Sequence, residues 1–275
     1  MNLNDSYMGI INADCDRIID VLLQSGVKYD LILTDPPYNV GKDFGNKSDN
    51  LPLDQFLEGM YNRIEKLKNL LADNGSIIWF GIHDYLCYIQ VYMNQIGLHY
   101  RRMNIWHYEN GFSRSTKEPA THYEPFLWFS KDDKNWTYNV DAVRVPYKST
   151  QRLKSPVKYK DKDGNLKTWV PSEKGAMRGD IWDFPTLAGK AFTEERTEHP
   201  SQKPESLITE LIKAFCPMND GKLDGQILDP FHGSGTLGVC CEKLNLQGHN
   251  IRWTGIEIEK KWCDIAHKRL QKVVP

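Results

Sequence analysis

Short apolar runs alternate with amphipathic patterns along most of the chain. Leu31 to Leu33 form a short apolar run that is followed by breakers, which predicts a buried strand. From Leu53 to Leu71 apolar side chains recur at helical spacing, and another apolar run follows at 76–81. A helical pattern at 205–215 and a strand pattern at 253–258 repeat this alternation later in the chain. Strands that alternate with helices predict an α/β fold with a mostly parallel sheet.

Four further segments complete the picture. Residues 99–108 and 123–129 have the pattern of two adjacent strands, and we expect an antiparallel pair at one edge of the sheet. Residues 39–52 are polar, rich in glycine and asparagine and without periodicity, which predicts a mobile loop. In residues 140–196 the apolar periodicity fades, and turn-forming residues and lysines replace it.

The composition is that of an ordinary globular protein. The chain has 275 residues, of which 40% are hydrophobic and 26% charged, and its formal net charge is −1. This length suits one large α/β domain. Because the chain as a whole has almost no net charge, any basic surface that binds nucleic acid must be local. The six cysteines form no CxxC pair, and neither an export signal nor an apolar run of membrane-spanning length is present. We therefore expect reduced thiols and a cytoplasmic protein with no membrane partner.

Two of the predicted strands end in loops that carry chemistry. The first apolar run stops at Asp35-Pro36-Pro37-Tyr38, where the prolines cannot continue a strand and the chain must leave the sheet. The run at 226–228 is followed by Asp229-Pro-Phe-His-Gly-Ser-Gly-Thr236. Open α/β sheets bind ligands at the carboxyl ends of their strands, so both loops are candidate site loops. For the first loop, a Pro-Pro turn capped by an aspartate is the alternative interpretation.

The second loop also contains the glycine pattern of a dinucleotide site. Gly233, Gly235 and Gly238 form a GxGxxG, which permits a tight turn and close approach of backbone N–H groups to a ligand. Glu257 lies 22 residues after Gly235 and is spaced to hydrogen-bond ribose hydroxyls. A nicotinamide dehydrogenase is therefore an alternative. However, only 40 residues follow Gly235, too few for a second dinucleotide half, and hydride transfer has no evident role for the two Asp-Pro loops.

Together, the two Asp-Pro loops resemble the signature motifs of the amino-methyltransferases that modify DNA. In that family the Asp-Pro-Pro-Tyr loop holds the target amino group, and the Asp-Pro-Phe-x-Gly-Ser-Gly-Thr loop holds S-adenosylmethionine. The catalytic loop precedes the cofactor loop here, an order that resembles the permuted, β-group branch of the family and enzymes of the restriction–modification kind. The resemblance covers nearly the whole chain. It implies an α/β fold of the Rossmann-like methyltransferase type with a circularly permuted motif order.

The resemblance also implies roles for individual residues. Asp14, by itself a candidate helix N-cap, resembles the acid that accepts a hydrogen bond from the cofactor's adenine amino group. Lys203 lies in a segment, 199–204, that the family uses near the cofactor, which implies a place beside the methionine carboxylate. The residues assigned to the cofactor are Asp14, Cys15, Lys203, Asp229, Pro230, Phe231, Gly233, Ser234, Gly235, Thr236 and Glu257. Those assigned to the target amine are Asp35, Pro36, Pro37 and Tyr38. No metal is expected, because the eight histidines show no metal-ligand spacing.

The same resemblance divides the chain into three parts. Residues 1–139 correspond to the catalytic part of the methyltransferase domain, residues 197–275 to its cofactor-binding part, and residues 140–196 to a small basic insert for target recognition. The methyltransferase sheet needs an edge strand next to 253–258, so we predict that residues 7–12 lie there in parallel. This pairing would bring Asp14 close to Glu257 around the cofactor.

The insert is the candidate DNA-binding segment. From Arg144 to Arg178 there are ten basic residues and three acidic ones, with aromatic residues interleaved. In isolation such a run is most often a solvated face, but in a DNA-modifying enzyme it matches a phosphate-contacting surface. The candidate DNA-binding residues are Arg144, Lys148, Arg152, Lys154, Lys158, Lys160 and Lys167. The loop at 39–52 is a candidate lid or a second DNA contact.

Asp35 favours the exocyclic N6 of adenine as the target, because the family's cytosine-N4 members usually carry serine at this position. The predicted function is therefore site-specific methylation of adenine in DNA. Cytosine-N4 methylation, and a non-catalytic relative that binds DNA or a nucleotide, are the alternatives. The expected partner is double-stranded DNA, and the resemblance also allows a homodimer and a cognate restriction endonuclease.

Overall fold

The computed structural model describes residues 8–45, 49–111, 116–149, 151–154 and 156–274, without the side chain of Arg152. Its strands are β1 (Gly9–Asn12), β2 (Tyr29–Thr34), β3 (Leu71–Phe80), β4 (His99–His107), β5 (Tyr123–Ser130), β6 (Val157–Lys160), β7 (Leu166–Trp169), β8 (Ile181–Asp183), β9 (Met218–Asn219), β10 (Lys222–Asp229) and β11 (Asn250–Glu257). Its helices are α1 (Cys15–Ser25), α2 (Leu53–Leu70), α3 (His83–Gln95), α4 (Gln151–Lys154), α5 (Glu205–Phe215), α6 (Thr236–Asn245) and α7 (Lys260–Gln271), with 3₁₀ turns at Val140–Val143 and Lys190–Phe192.

The central sheet is mixed but mostly parallel. Its described strands run in the order β1-β11-β10-β2-β3-β5-β4-β8, and the short β9 pairs with the start of β10. The neighbours from β1 to β3 are parallel, and β5 is antiparallel to both β3 and β4. The predicted α/β class, with a largely parallel sheet and an antiparallel hairpin, is therefore confirmed.

Helices cover the sheet on both faces, which explains the continuous apolar run from Leu31 to Leu33 in β2. Leu31 and Leu33 pack into one buried cluster with α5 and α6, whereas Ile32 packs into the other with α1, α2 and α3. Successive side chains of a strand point to opposite faces, so a strand that is buried on both sides needs a continuous apolar run. Such a strand is typical of the middle of a parallel sheet.

The predicted edge strand at the N-terminus is present. β1 lies parallel to β11, with Gly9 opposite Thr254 and Asn12 opposite Glu257. The Asn12 amide also donates to the Glu257 backbone carbonyl at 2.9 Å. The prediction of a strand beside 253–258 is confirmed for residues 9–12, while Tyr7 lies outside the described residues.

At the other edge the structure differs from the prediction. The hairpin of β4 and β5 does not end the sheet, because β8 pairs in parallel with the outer side of β4. Trp182 of β8 is only 1% exposed and packs edge-on against Phe126, with ring centroids 6.0 Å apart. The end of the predicted insert thus belongs to the main sheet. A three-residue strand with one buried side chain has too little periodicity to be predicted from sequence.

Arg178 joins the insert to the main body. Its guanidinium lies 4.7 Å from the ring centre of Trp182 and 3.0 Å from a carboxylate oxygen of Glu210 on α5. Its Nε donates to the carbonyl of Val143 at 3.1 Å. These contacts leave the arginine half-buried, so it has a structural role in spite of its place in the basic run.

Residues 157–169 of the insert form a small separate hairpin. β6 and β7 form a separate two-stranded antiparallel sheet, with Val157 opposite Trp169 and Lys160 opposite Leu166. Every residue of these two strands is exposed. No helix among the described residues is long and apolar enough to cross a membrane.

Candidate active site

The two predicted site loops meet in one cavity. β2 and β10 are parallel neighbours, with Leu228 opposite Ile32, so the loops that follow them leave the same edge of the sheet. A cavity of about 420 Å³ opens there, a size usual for a small-molecule site. The residues assigned to the cofactor that line it are Asp14, Cys15, Lys203, Asp229, Pro230, Phe231, Gly233, Ser234, Thr236 and Glu257.

Glu257 organises the cofactor side of the cavity. One carboxylate oxygen accepts the backbone N–H of Gly233 at 2.8 Å, and the other accepts that of Glu259 at 2.8 Å. Burial raises the pKa of the Glu257 carboxyl, and these two hydrogen bonds oppose the rise. The carboxylate ties the glycine loop to the end of β11 and keeps further lone pairs available for a ligand.

Asp14 has the helix-capping role that its position predicts. Its carboxylate accepts the backbone N–H groups of Asp16 at 2.9 Å and Arg17 at 3.2 Å, at the start of α1. It also lines the cavity together with Glu257. The capping role is confirmed, and the second role, toward a nucleoside amino group, stays a prediction.

Asp229 shapes the second loop. It accepts the N–H of Phe231 at 3.1 Å, and its other oxygen lies 3.3 Å from Nδ1 of His232. The His232 ring is buried and stacks on Trp253 at a centroid distance of 5.3 Å. The contacts of Asp229 and His232 therefore hold the loop in place, and Phe231 lines the cavity.

The two glycines of the loop meet different constraints. Gly233 has φ +52°, and a Cβ there would lie 2.9 Å from Nε2 of His199, which also lines the cavity. Gly235 has φ +83° at the start of α6, and a Cβ there would lie 2.6 Å from the Cβ of Ala266 on α7. Gly235 is thus required by the packing of α6 against α7, and the approach of both glycines to the cofactor stays a prediction.

The catalytic tetrapeptide forms a charged cluster with two residues from elsewhere in the chain. The Tyr38 hydroxyl donates to one oxygen of the Asp35 carboxylate. The other oxygen accepts from the ammonium of Lys203 at 2.6 Å, and that ammonium also lies 3.0 Å from Glu124 Oε2. The Tyr38 hydroxyl is itself 3.3 Å from the same Glu124 oxygen. Asp35 and Pro37 line the main cavity, while Pro36 and Tyr38 line a smaller hollow beside it.

Lys203 is enclosed by aromatic rings. It is 6% exposed, and its Nζ lies 5.1 Å from the ring centre of Phe80, 5.5 Å from that of Tyr38 and 5.7 Å from that of Trp106. Burial alone would lower the pKa of the ammonium, but the two carboxylates outweigh it and raise that pKa above its ordinary value. Lys203 is therefore a charged group bound to the catalytic loop, and its predicted place beside the methionine carboxylate stays a prediction.

The loop after the tetrapeptide forms hydrogen bonds to the rest of the protein and within itself, where the structure describes it. The buried carboxylate of Asp49 accepts the backbone N–H groups of Asn39 at 2.6 Å and Lys42 at 2.9 Å. The carbonyl of Phe44 accepts the indole N–H of Trp262 at 2.8 Å. The described parts of the predicted mobile loop thus pack over the cavity, and residues 46–48 lie outside the described part.

The predicted DNA-binding residues fall into two groups. Arg144 pairs with Asp141 at 2.7 Å and Lys167 with Asp161 at 3.1 Å, so both are engaged within the protein. Of the predicted residues, Lys148, Lys154, Lys158 and Lys160 are exposed and form no ion pair with an acidic group among the described residues. The side chain of Arg152 lies outside the described part.

Comparison with known proteins decides the family. The sequence profile of the DNA methylase family matches residues 29–268. This chain belongs to the DNA methylase family. The type II methyltransferase M.HpaI of Haemophilus parainfluenzae is 34% identical over 242 residues, which are 88% of this methylase and 68% of that protein. M1.MboII of Moraxella bovis is 32% identical over 86% of this chain and 87% of its own. The DNA adenine methyltransferase YhdJ of Escherichia coli is 29% identical over 88% of this chain and 76% of its own.

Solved structures agree with this assignment. The M1.HpyAVI–SAM complex superposes with a TM-score of 0.64 at 25% identity, over 95% of the methylase and 98% of that chain. The cytosine-N4-specific PvuII DNA methyltransferase superposes with a TM-score of 0.65 at 12% identity, over 95% and 85% of the two chains, which shows a common fold. The methylase is thus an S-adenosylmethionine-dependent DNA methyltransferase.

The cavity fits S-adenosylmethionine. Gly233 and His199 lie side by side in the cavity wall, where a Cβ on the glycine would meet the His199 ring. The carboxylates of Glu257 and Asp14 line the same cavity and are acceptors of the kind that the hydroxyl and amino groups of a nucleoside need. Phe231 adds an aromatic surface to the same wall. Among the described residues, no group of His, Cys, Asp or Glu side chains is arranged to hold a metal ion.

Sequence reasoning missed three residues of the site. Glu124 is the second residue of β5, Asp49 lies in a polar loop and Trp262 lies on α7. Each is a single residue without a motif, and two of them reach the site through contacts distant in sequence. Glu124 lies 86 residues from Tyr38, and Trp262 lies 218 residues from Phe44. No spacing rule could have found them.

Proposed function

We propose that the methylase transfers the methyl group of S-adenosylmethionine to the exocyclic N6 of adenine at a specific site in duplex DNA. The observation that carries this proposal is that Asp35 and the glycine loop with Gly233 line the same cavity. A carboxylate that begins the tetrapeptide, in place of serine, supports adenine over cytosine. The relative YhdJ is named a DNA adenine methyltransferase, and this supports the same choice.

The catalytic loop supplies acceptors to a weak nucleophile. The lone pair of an exocyclic amine is delocalised into the base, and positive charge develops on its nitrogen as it takes the methyl group. Asp35 and the Pro36 carbonyl can each accept an N–H of the amine, which localises the lone pair and stabilises that charge. S-Adenosylmethionine, when bound, supplies the activated methyl group. A base within a duplex cannot reach the cavity, so it must first leave the stack.

The hairpin of β6 and β7 is the proposed contact with DNA phosphates. Lys158 and Lys160 lie on β6 with exposed side chains, and Lys154 lies just before them on α4. Exposed lysines that form no ion pair among the described residues gain from counterion release on DNA, whereas Arg144 and Lys167 already have carboxylate partners. A homodimer, a cognate restriction endonuclease and a cytoplasmic location stay predictions.

Nucleoside analysis of methylated DNA tests the proposal. DNA from a methylation-deficient host is incubated with the purified methylase and S-adenosylmethionine, then digested and analysed by mass spectrometry. We expect N6-methyladenine. The appearance of N4-methylcytosine would instead assign the cytosine reaction, and the absence of both would contradict a methyltransferase acting on DNA.

An Asp35→Ala variant tests the proposed role of the carboxylate. We expect a loss of roughly a hundred- to a thousandfold in the transfer rate, with cofactor affinity by calorimetry little changed. Asp73→Ala is the matched control, because Asp73 is fully exposed and its ion-pair partner among the described residues is Lys131, outside the cavity lining. A near wild-type rate in Asp35→Ala would leave the tetrapeptide as a mere turn.

A further inference from the structure

The charged cluster around Asp35 contains two residues to which the family motif assigns no part in the transfer. Lys203 lies two residues before the start of α5 and Glu124 lies in β5, yet both reach the tetrapeptide. We propose that the Lys203–Glu124 pair positions the Asp35 carboxylate and the Tyr38 hydroxyl for the target amine, and serves the transfer step instead of cofactor binding. The proposal rests on the proposed methyl transfer to an exocyclic amine.

The donors of the ammonium are already used within the cluster. A lysine ammonium has three N–H groups and accepts no hydrogen bond. Nζ of Lys203 lies 2.6 Å from Asp35 Oδ2, 3.0 Å from Glu124 Oε2 and 3.3 Å from the Tyr38 hydroxyl. Lys203 could bind the carboxylate of the cofactor only by giving up one of these partners. The geometry therefore assigns it to the catalytic loop.

The surroundings of Lys203 hold it in that place. Aromatic rings surround the ammonium, and the following residue, Pro204, restricts the backbone of Lys203 to extended conformations. Both carboxylates are partly buried, with side chains 20% exposed for Asp35 and 25% for Glu124. A charge with few water contacts and fixed partners can orient a neighbour in a way that a surface lysine cannot.

The charges of the cluster suit the reaction. Two carboxylates and one ammonium leave a net negative charge, which favours positive charge on the attacking nitrogen. Without the ammonium, Asp35 and Glu124 would both approach the Tyr38 hydroxyl as like charges. Two like charges at one hydroxyl repel each other, and this repulsion would displace the acceptor that the amine needs. Lys203 thus allows two carboxylates to coexist beside the target.

Three variants test the proposal: Lys203→Ala, Glu124→Gln and the double variant. Single-turnover methylation at saturating S-adenosylmethionine measures the transfer step, and calorimetry measures cofactor affinity. We expect Lys203→Ala to slow the transfer by about a hundredfold, with cofactor affinity unchanged. The double variant should lose less than the product of the two single losses, because the residues act as a pair. Lys134→Ala is the control, since Lys134 is an exposed lysine outside the cavity lining.

Chemical rescue separates a positioning charge from a merely structural side chain. Lys203 lines the cavity, so its truncation opens a space that a small ion can enter. Propylammonium replaces the atoms that the alanine lacks, and we expect it to restore much of the transfer rate of Lys203→Ala, whereas neutral 1-propanol restores none. Thermal melting shows whether the variant is folded. If it is not, the single variant Glu124→Gln, which keeps the shape of the side chain, must show the same split between rate and affinity.

Two results would overturn the proposal. The first is a Lys203→Ala enzyme with weakened cofactor binding and a normal single-turnover rate, because that would assign the lysine to the cofactor. The second is a folded variant that propylammonium does not rescue. Failure of the wild-type enzyme to methylate adenine would contradict the proposed function instead. In that case the calorimetric comparison would still show whether Lys203 belongs to the cofactor.

Discussion

Replacement of Gly235 by alanine distinguishes a fold-determining glycine from a cofactor-binding one. The residue has φ +83°, and an added Cβ would lie 2.6 Å from the Cβ and 3.1 Å from the Cα of Ala266. A left-handed conformation costs a non-glycine residue about 1–2 kcal/mol, and overpacking of this kind costs about 1–3 kcal/mol. We therefore expect Gly235→Ala to lower the free energy of unfolding by about 2–5 kcal/mol and the melting temperature by roughly 4–20 °C.

The matched control for this change is Gly248→Ala. Gly248 has φ +92°, but the nearest atom to an added Cβ is the flexible Nζ of Lys222 at 3.9 Å, so that variant has the conformational cost alone. Melting curves by circular dichroism, together with calorimetric titration of S-adenosylmethionine at a temperature where each variant is folded, measure both effects. Gly235→Ala should bind the cofactor nearly normally once folded. A variant that melts like the wild type but has lost cofactor affinity would refute the packing argument.

Three further predictions concern charge. Replacing Lys154, Lys158 and Lys160 with alanine should weaken DNA binding and reduce its dependence on salt, without changing cofactor affinity, as fluorescence anisotropy at several salt concentrations would show. Arg178→Ala should instead leave that salt dependence almost unchanged and lower the free energy of unfolding by about 1–3 kcal/mol, because it removes a charged hydrogen bond to a half-buried carboxylate. Burial, and then the ammonium of Lys203, lower the pKa of His199 from 6.5 to about 4. As the pH falls, this histidine is therefore protonated in the unfolded chain before it is protonated in the folded protein. Stability from this histidine is complete above pH 6.5 and decreases toward pH 4, by about 2–3 kcal/mol, and urea unfolding of His199→Gln should lack that part of the pH dependence.

The sequence predicted the parts of the fold that depend on local periodicity and on strand ends. The alternation of apolar runs and helical patterns gave the class of the fold, and the two Asp-Pro loops gave the edge of the sheet where the cavity lies. The place of residues 9–12 beside β11 also followed, since the expected sheet had one strand missing. Element boundaries were less certain, because β3 begins at Leu71 directly after α2 and not at Ser76.

The remaining features depend on contacts that no local pattern contains. The edge strand β8 was missed because only Trp182 of its three residues is buried. Lys203 was assigned to the cofactor because its segment suggested it, whereas its position depends on Glu124 and on rings from three different strands and loops. Gly235 was grouped with Gly233 because both belong to one motif. The difference between them appears only when α7 is packed against α6.

The order of strands explains why residues so far apart form one site. The catalytic strand β2 lies between β10 and β3, so the strand that carries the cofactor loop is a direct neighbour of the strand that carries Asp35. Their register, with Ile227 opposite Leu31, fixes the distance between the two loops, whatever the length of chain that connects them. Lys203, 168 residues from Asp35, then closes the site from the side of α5. The division into a catalytic part and a cofactor part is therefore one of sequence alone, because neither part encloses the cavity without the other.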